Sequence, residues 1–220
     1  MACSGCDFEH ASDRQFNVAK AAAELQAYRT GRLGLTSRLL RDGIVDAELN
    51  QGTLIDVGGG VGPLTFELLT RGISRAIVVE ASAAYVASAI EEAMRRGFAD
   101  RTEVVHGDFL RVAGSLPSGD VVTLDRVVCC YPAYERLLEQ ALSHAERAVA
   151  LSYPRDRWYV RLGMWLENAK RARGSGFRTF VHPPMRIQDL IQRAGFTLTR
   201  RRMTLMWTID IFTRLARTPR

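Results

Sequence analysis

Leu54-Ile55-Asp56-Val57-Gly58-Gly59-Gly60-Val61-Gly62-Pro63 is the stretch that decides how this chain folds. Leu54 to Val57 is a short apolar run containing β-branched residues, the composition of a parallel strand covered on both faces. Gly58, Gly60 and Gly62 let the backbone turn sharply and approach a ligand where a Cβ would collide. Pro63 suits the first turn of a helix, where its missing N–H costs nothing. Leu64, Leu68 and Leu69 then supply that helix with an apolar face. Strand, glycine turn and helix in this order mark a nucleotide-cofactor site.

The spacing narrows the cofactor. A dinucleotide fingerprint, G-x-G-x-x-G, places a glycine where this chain has Pro63. The run is instead Asp56-x-Gly58-x-Gly60-x-Gly62, the D-x-G-x-G-x-G signature of class I S-adenosylmethionine-dependent methyltransferases, which the region closely resembles. Asp56 at the strand end would repel a pyrophosphate but favours the sulfonium and amino group of S-adenosylmethionine. Ile77-Val78-Val79 reads as a second strand ending in Glu80 and Ala81, where a carboxylate can accept hydrogen bonds from both ribose hydroxyls. A helix from about Ser82, its cap, to Arg96 follows. The third strand, Thr102 to His106, leads into Gly107-Asp108-Phe109. By the resemblance, Asp108 receives the adenine amino group and Phe109 lies near the adenine ring. His106 reads as a structural residue of that strand end.

The remaining chain fits the same scaffold. Asp120 to Leu124 reads as a fourth strand, Ala133 to Arg147 as an amphipathic helix and Ala148 to Tyr153 as a fifth strand. A helix from about Arg157 to Arg173 is longer than a plain connection requires and is expected to cover substrate. Arg186 to Ala194 is a further helix, and strands at about Thr197 to Met206 and Thr208 to Ala216 form a hairpin. Residues from about Asp13 to Ala47 look like two helices broken near Gly31 and Gly34. The expected fold is α/β and Rossmann-like, with the seven-stranded, mostly parallel sheet and antiparallel last strand that the resemblance implies. Residues 1–220 read as one domain: a helical cover (1–50), a cofactor-binding half (51–156), and a helical insertion with the C-terminal hairpin (157–220).

Ligands of open α/β sheets bind beyond the carboxyl ends of the strands, so Asp125 to Pro132 is expected to face both methyl donor and acceptor. Leu124-Asp125-x5-Tyr131-Pro132, with Tyr28-Arg29-Thr30-Gly31 in the N-terminal helices, is similar to the magnesium protoporphyrin IX O-methyltransferases. That resemblance implies catalytic roles for Tyr28 and for a residue just before Tyr131-Pro132. The family has histidine there; this chain has Cys130, preceded by Cys129. A cysteine serves as general base near neutrality only with a strongly shifted pKa. The candidate catalytic set is therefore Tyr28, Asp125, Cys130 and Tyr131. Arg155, Trp158 and His182, near the sheet's carboxyl edge, are the candidate acceptor contacts, with Trp165 one further possible wall of an apolar pocket.

Cysteine placement supplies a second reading. Cys3-x-x-Cys6 would form a thiolate cluster with Cys129 and Cys130 if the N-terminal segment folded over the site, making the chain a metal- or thiol-responsive module or a thiol or metalloid methyltransferase. Against it, a lone C-x-x-C is weak, and Cys129 and Cys130 on extended backbone would point to opposite faces. No metal ligand set is therefore assigned. The net charge of +6 is scattered over helix faces and loops without a base-stacking aromatic stripe, which argues against nucleic acid and for a small-molecule acceptor. No apolar run is long enough to span a bilayer and no secretion signal is evident, so a cytoplasmic setting is expected. The principal reading is a methyltransferase that uses S-adenosylmethionine, with an oxygen of a small molecule as acceptor, carboxylate or hydroxyl, porphyrin-like or another metabolite.

Overall fold

The computed structural model describes residues 4–214, with side chains from residue 8 onward. Seven strands alternate with helices: α1 (Ser4–Gln15), α2 (Val18–Arg29), α3 (Leu35–Asp46), β1 (Thr53–Val57), α4 (Pro63–Thr70), β2 (Arg75–Glu80), α5 (Ala83–Arg95), β3 (Thr102–His106), α6 (Phe109–Val112), β4 (Gly119–Asp125), α7 (Tyr134–His144), β5 (Ala145–Pro154), α8 (Trp158–Arg171), α9 (Pro184–Arg193), β6 (Phe196–Met203) and β7 (Trp207–Arg214). The sheet order is β3-β2-β1-β4-β5-β7-β6. β1 to β5 pair in parallel, and β7 runs antiparallel between β5 and β6. The strand order reverses between β1 and β4, so a crevice opens above their carboxyl ends.

Residue alternation along the strands builds two cores. Ile55, Val57, Val122 and Leu124 face α7 and α9, where Leu137, Leu138, Ile187 and Ile191 bury their side chains. Leu54, Val121, Ala148 and Ile211 face the other way, against Leu40 and Ile44 of α3 and Leu64 and Leu68 of α4. Both faces are thus covered, which is why β1 reads as continuously apolar except at Asp56.

Two expectations from sequence are corrected. Between Asp13 and Ala47 the two expected helices are α2 and α3, broken across Gly31 and Gly34, and α1 precedes them, with Asn17 starting α2 through its side chain, which accepts from the Lys20 N–H. The helix expected to reach Arg147 stops at His144, and β5 begins at Ala145. Cys129 and Cys130 stand on a 3-10 turn, Val128–Cys130, rather than on extended backbone.

Candidate functional site

The glycine turn is fixed from below by hydrogen bonds its sequence provides. The Gly58 N–H donates to Val79 O at 2.7 Å and the Gly62 N–H to Gly59 O at 3.0 Å. Gly58 has φ 62°, and a Cβ there would sit 2.6 Å from Val127 Cγ2. Only glycine satisfies both the left-handed backbone and the space. Gly62, at φ 84°, precedes Pro63 and packs on the Phe66 ring.

Above the turn lies a cavity of about 300 Å³, large enough for part of a small ligand. Gly58, Gly60, Glu80, Ala81, Phe109, Asp125, Cys130 and Tyr131 of the expected site all line it. Glu80 is fixed at the end of β2: Oε2 accepts the Gly60 N–H at 3.0 Å and Oε1 the Ser82 N–H at 2.9 Å. Burial raises its pKa, opposed by those backbone N–H donors. Its carboxylate retains lone pairs for a ligand hydroxyl. Asp125 is oriented by two hydroxyls, with Ser37 Oγ donating to Oδ2 at 2.5 Å and Ser152 Oγ donating to Oδ1 at 2.6 Å. Next to it, Arg126 adopts φ 62°, a left-handed conformation rare for a side-chain-bearing residue and concentrated at functional sites.

Other candidates stand elsewhere. Asp56 lies beneath the turn, fully buried, accepting from Thr65 Oγ1 at 2.7 Å and Thr123 Oγ1 at 2.6 Å. It braces the turn rather than facing the cavity, and burial pushes its pKa up to about 6 against the two hydroxyl donors. Asp108 caps α6, its Oδ1 accepting from the Leu110 N–H and from Tyr131 Oη at 2.7 Å; its neighbours Gly107 and Phe109 line the cavity instead. Tyr28 sits in the α3/α4 core, with its hydroxyl donating to Glu67 at 3.3 Å and the Arg96 guanidinium over its ring. His182 stacks on Tyr134 with ring centroids 4.1 Å apart, and its Nε2 is 3.0 Å from Tyr131 O. Arg155 Nη1 donates to Thr204 O. Trp158 and Trp165 are exposed and form no wall. In each case a local partner or the helix phase holds the group outside the cavity.

The cavity also contains residues that sequence reasoning did not assign. Phe8, Ser12 and Gln15 of α1 and nearby Phe16 close one side. Glu9 holds the helix there, accepting the Asp108 N–H at 3.0 Å and pairing with Arg111 at 2.9 Å. Asp13 accepts the Ala83 N–H at the start of α5. Phe177, Thr179 and Arg171, around the C-terminal end of α8, and Trp207 also line the cavity, with the Phe177 ring packed against Phe8 and Phe16 at centroid distances of 6.0 and 5.2 Å. Phe8 and Phe16, one helical stripe apart, were the available signal for α1; nothing local marked the others.

The N-terminal segment does fold over the site, but Cys3 and the Cys6 side chain lie outside the described residues. Cys129 and Cys130 bring their Sγ atoms 3.9 Å apart, and both thiols donate to Arg126 O at 3.3 Å. The Cys130 thiol is pushed up by its neighbour's thiol and by burial, which opposes a thiolate role. Among the described residues no group of three or more His, Cys, Asp or Glu is arranged to hold a metal ion.

The Tyr85 hydroxyl, buried on the cavity wall, lies beside the Glu24 carboxylate but forms no hydrogen bond of good geometry among the described residues. The glycine cradle and the fixed Glu80 carboxylate fit a hydroxyl- and amine-bearing nucleoside.

No protein-family model and no curated protein matches the chain. Solved structures do. The magnesium protoporphyrin IX methyltransferase of Synechocystis, crystallised with S-adenosylhomocysteine, superposes with a TM-score of 0.67 at 20% identity over 82% of each chain. An O-methyltransferase family protein from Burkholderia thailandensis superposes with a TM-score of 0.69 at 16% identity, covering 91% of this chain and 61% of that one. An O-methyltransferase family 2 protein of Planctomyces limnophilus, in complex with apigenin, gives 0.59 at 17% identity over 83% of this chain and 62% of that one. The chain has the class I methyltransferase fold.

Proposed function

We propose that this chain is an S-adenosylmethionine-dependent methyltransferase that methylates a small molecule at oxygen. The observation that carries the reading is the Glu80 carboxylate, held over the turn by the Gly60 and Ser82 N–H groups and facing the cavity above the glycine residues. Glu80 would hold the ribose hydroxyls, Gly58 and Gly60 would admit the amino-acid portion close to the backbone, and Phe109 would pack against the base. The bound cofactor supplies an activated methyl group on a sulfonium centre. The chain then has to align an acceptor and keep water out.

A carboxylate is the acceptor class that the cavity suits best. Tyr85, Tyr131 and Cys130 all have raised pKa values, chiefly through burial for the two tyrosines and through Cys129 for the thiol, so none is a ready base at neutral pH. A carboxylate is already ionised and needs none. Lys20, Arg126 and Arg171 share the cavity wall with the acids Glu24, Glu80 and Asp125; these cations would be the groups to seat a carboxylate, with Phe8, Phe16, Phe177 and Trp207 as apolar enclosure.

Titration calorimetry with S-adenosylmethionine and S-adenosylhomocysteine tests the cofactor assignment, and a panel of carboxylate and phenol acceptors tests the second half. Binding at one site per chain and turnover confined to carboxylates support the reading. Preferential binding of a nicotinamide dinucleotide, or turnover only with phenols, overturns the respective half.

A further inference from the structure

One helix of this protein carries its apolar stripe on the wrong side for packing. In α8 only Val160 is buried. Trp158, Leu162, Trp165 and Leu166, at helical positions i, i+4, i+7 and i+8, lie along one face, and all four point to solvent. Trp158 is 75% and Trp165 64% exposed. The helix is anchored from its other side, where Asn168 Nδ2 donates to Thr179 O at 2.7 Å and its Oδ1 accepts the Thr179 N–H at 2.9 Å.

A second apolar protrusion stands beside the first. The tip of the β6–β7 hairpin exposes Met203, Leu205 and Met206, with Leu205 72% exposed. Tyr159 of α8 donates its hydroxyl to Leu205 O at 2.9 Å, and the Arg155 N–H donates to Met206 O at 2.9 Å. Two tryptophans and five aliphatic or thioether side chains therefore share one end of the molecule, next to the cavity wall formed by Arg171 and Trp207. Contiguous apolar surface of this kind is uncommon on a protein with no partner for it.

Charge selects the partner. From Arg155 to Arg178 stand seven arginines and lysines against Asp156 and Glu167, a surplus of five in a chain whose whole surplus is six. Arg161, paired with Asp156 at 2.6 Å, and Lys170, paired with Glu167 at 3.0 Å, flank the stripe on either side by helical phase, and Arg157 and Arg173 are exposed at the two ends of the helix. A Trp- and Leu-bearing stripe bordered by cations is the pattern of a helix lying in the headgroup region, with rings at the interface and basic groups reaching anionic lipid.

We propose that α8 and the β6–β7 hairpin tip form a docking face for an anionic lipid bilayer surface. The helix lies in the plane of the interface, with Trp158 and Trp165 inserted and Leu205 as a second point of contact. Among the described residues no helix is long and apolar enough to cross a membrane, so attachment is peripheral and reversible. It also turns the end of the molecule beside the cavity toward the lipid. Docking depends on exposed groups and not on the methyltransferase reading, so either can fail alone.

Flotation of the purified full chain with phosphatidylcholine vesicles, with and without about 30% phosphatidylglycerol, tests the proposal. The expected result is at least about tenfold stronger association with the anionic vesicles, largely lost at about 0.5 M salt. Trp158→Ser/Trp165→Ser should weaken it about tenfold and Arg157→Glu/Arg173→Glu severalfold. All four side chains are exposed, so melting temperatures should stay close to the parent's. Equal partitioning onto neutral and anionic vesicles, or unaltered binding by the tryptophan variant, overturns the proposal. So does a concentration-dependent dimer in sedimentation velocity that the tryptophan variant abolishes, since the face would then belong to a second copy. Should a variant fail to fold, the lipid and salt dependence of the unmodified protein still decides.

Discussion

The Glu80 carboxylate accepts the Gly60 N–H at 3.0 Å, which ties the end of β2 to the glycine turn that follows β1. The same side chain closes onto Ser82 N, at the start of α5. One buried acid thus sets the relative position of two loops that flank the cavity. Replacing it with alanine leaves two N–H donors unmatched and removes the acceptor for ribose hydroxyls. We expect Glu80→Ala to weaken S-adenosylhomocysteine binding by at least about tenfold, since an unmet buried donor costs about 1–3 kcal/mol. Calorimetry measures this directly, and unchanged affinity would remove Glu80 from the site.

Gly58 offers a test of the turn itself. Its φ of 62° and the 2.6 Å that would separate an added Cβ from Val127 Cγ2 combine a backbone penalty with a steric one. Gly58→Ala should cost about 2 kcal/mol or more of stability and reduce cofactor affinity. Denaturant unfolding is the check, with a change below a few tenths of a kcal/mol counting against the described turn.

Asp56 gives a pH signature. Its folded-state pKa, raised from 3.8 to about 6, means that the folded state holds a proton more tightly than the unfolded chain. The stabilisation from that proton is fully present below about pH 4 and is lost as pH rises through 6. The loss amounts to about 3 kcal/mol at most. In Asp56→Asn this dependence should disappear, so the stability difference between variant and parent should shift in the variant's favour from pH 4 to pH 7. Parallel pH profiles for the two proteins would contradict it.

Helix α1 should act as a strap over the cofactor side. Glu9 on Asp108 N and Arg111, and Asp13 on Ala83 N, are partly exposed contacts worth little to stability. Glu9→Ala/Asp13→Ala is therefore expected to change the unfolding free energy by less than about 1 kcal/mol while speeding cofactor release severalfold. Stopped-flow displacement measures the rate; an unchanged rate would show that α1 does not gate the site.

Much of the scaffold was legible because its signals are local. The apolar run at Leu54, Ile55 and Val57, the glycine spacing and Ser82 as a cap each report on a few adjacent residues, and the sheet arrangement was what the family resemblance implied. The lining of the candidate cavity was legible where it lies at or just beyond strand ends, as at Gly58, Glu80, Phe109, Asp125 and Tyr131. Asp56 misled because a carboxylate at a strand end looks the same whether it faces ligand or, as here, two threonine hydroxyls from β4 and α4. Tyr28 misled for a similar reason: its partner Glu67 is 39 residues away. The contribution of Phe177, Thr179 and Trp207 depends on which distant segments fold over the sheet edge, and no local pattern encodes that. Trp158 and Trp165 show the converse, two rings expected to wall an acceptor pocket that are instead turned outward.

Transfer of an isotopically labelled methyl group from S-adenosylmethionine tests the central claim most directly. Purified protein incubated with the labelled cofactor and a cell extract should yield labelled small molecules whose label is base-labile, as expected for a methyl ester, and Glu80→Ala should abolish most of it. Label appearing in no small molecule, or appearing equally with the variant, would contradict the account.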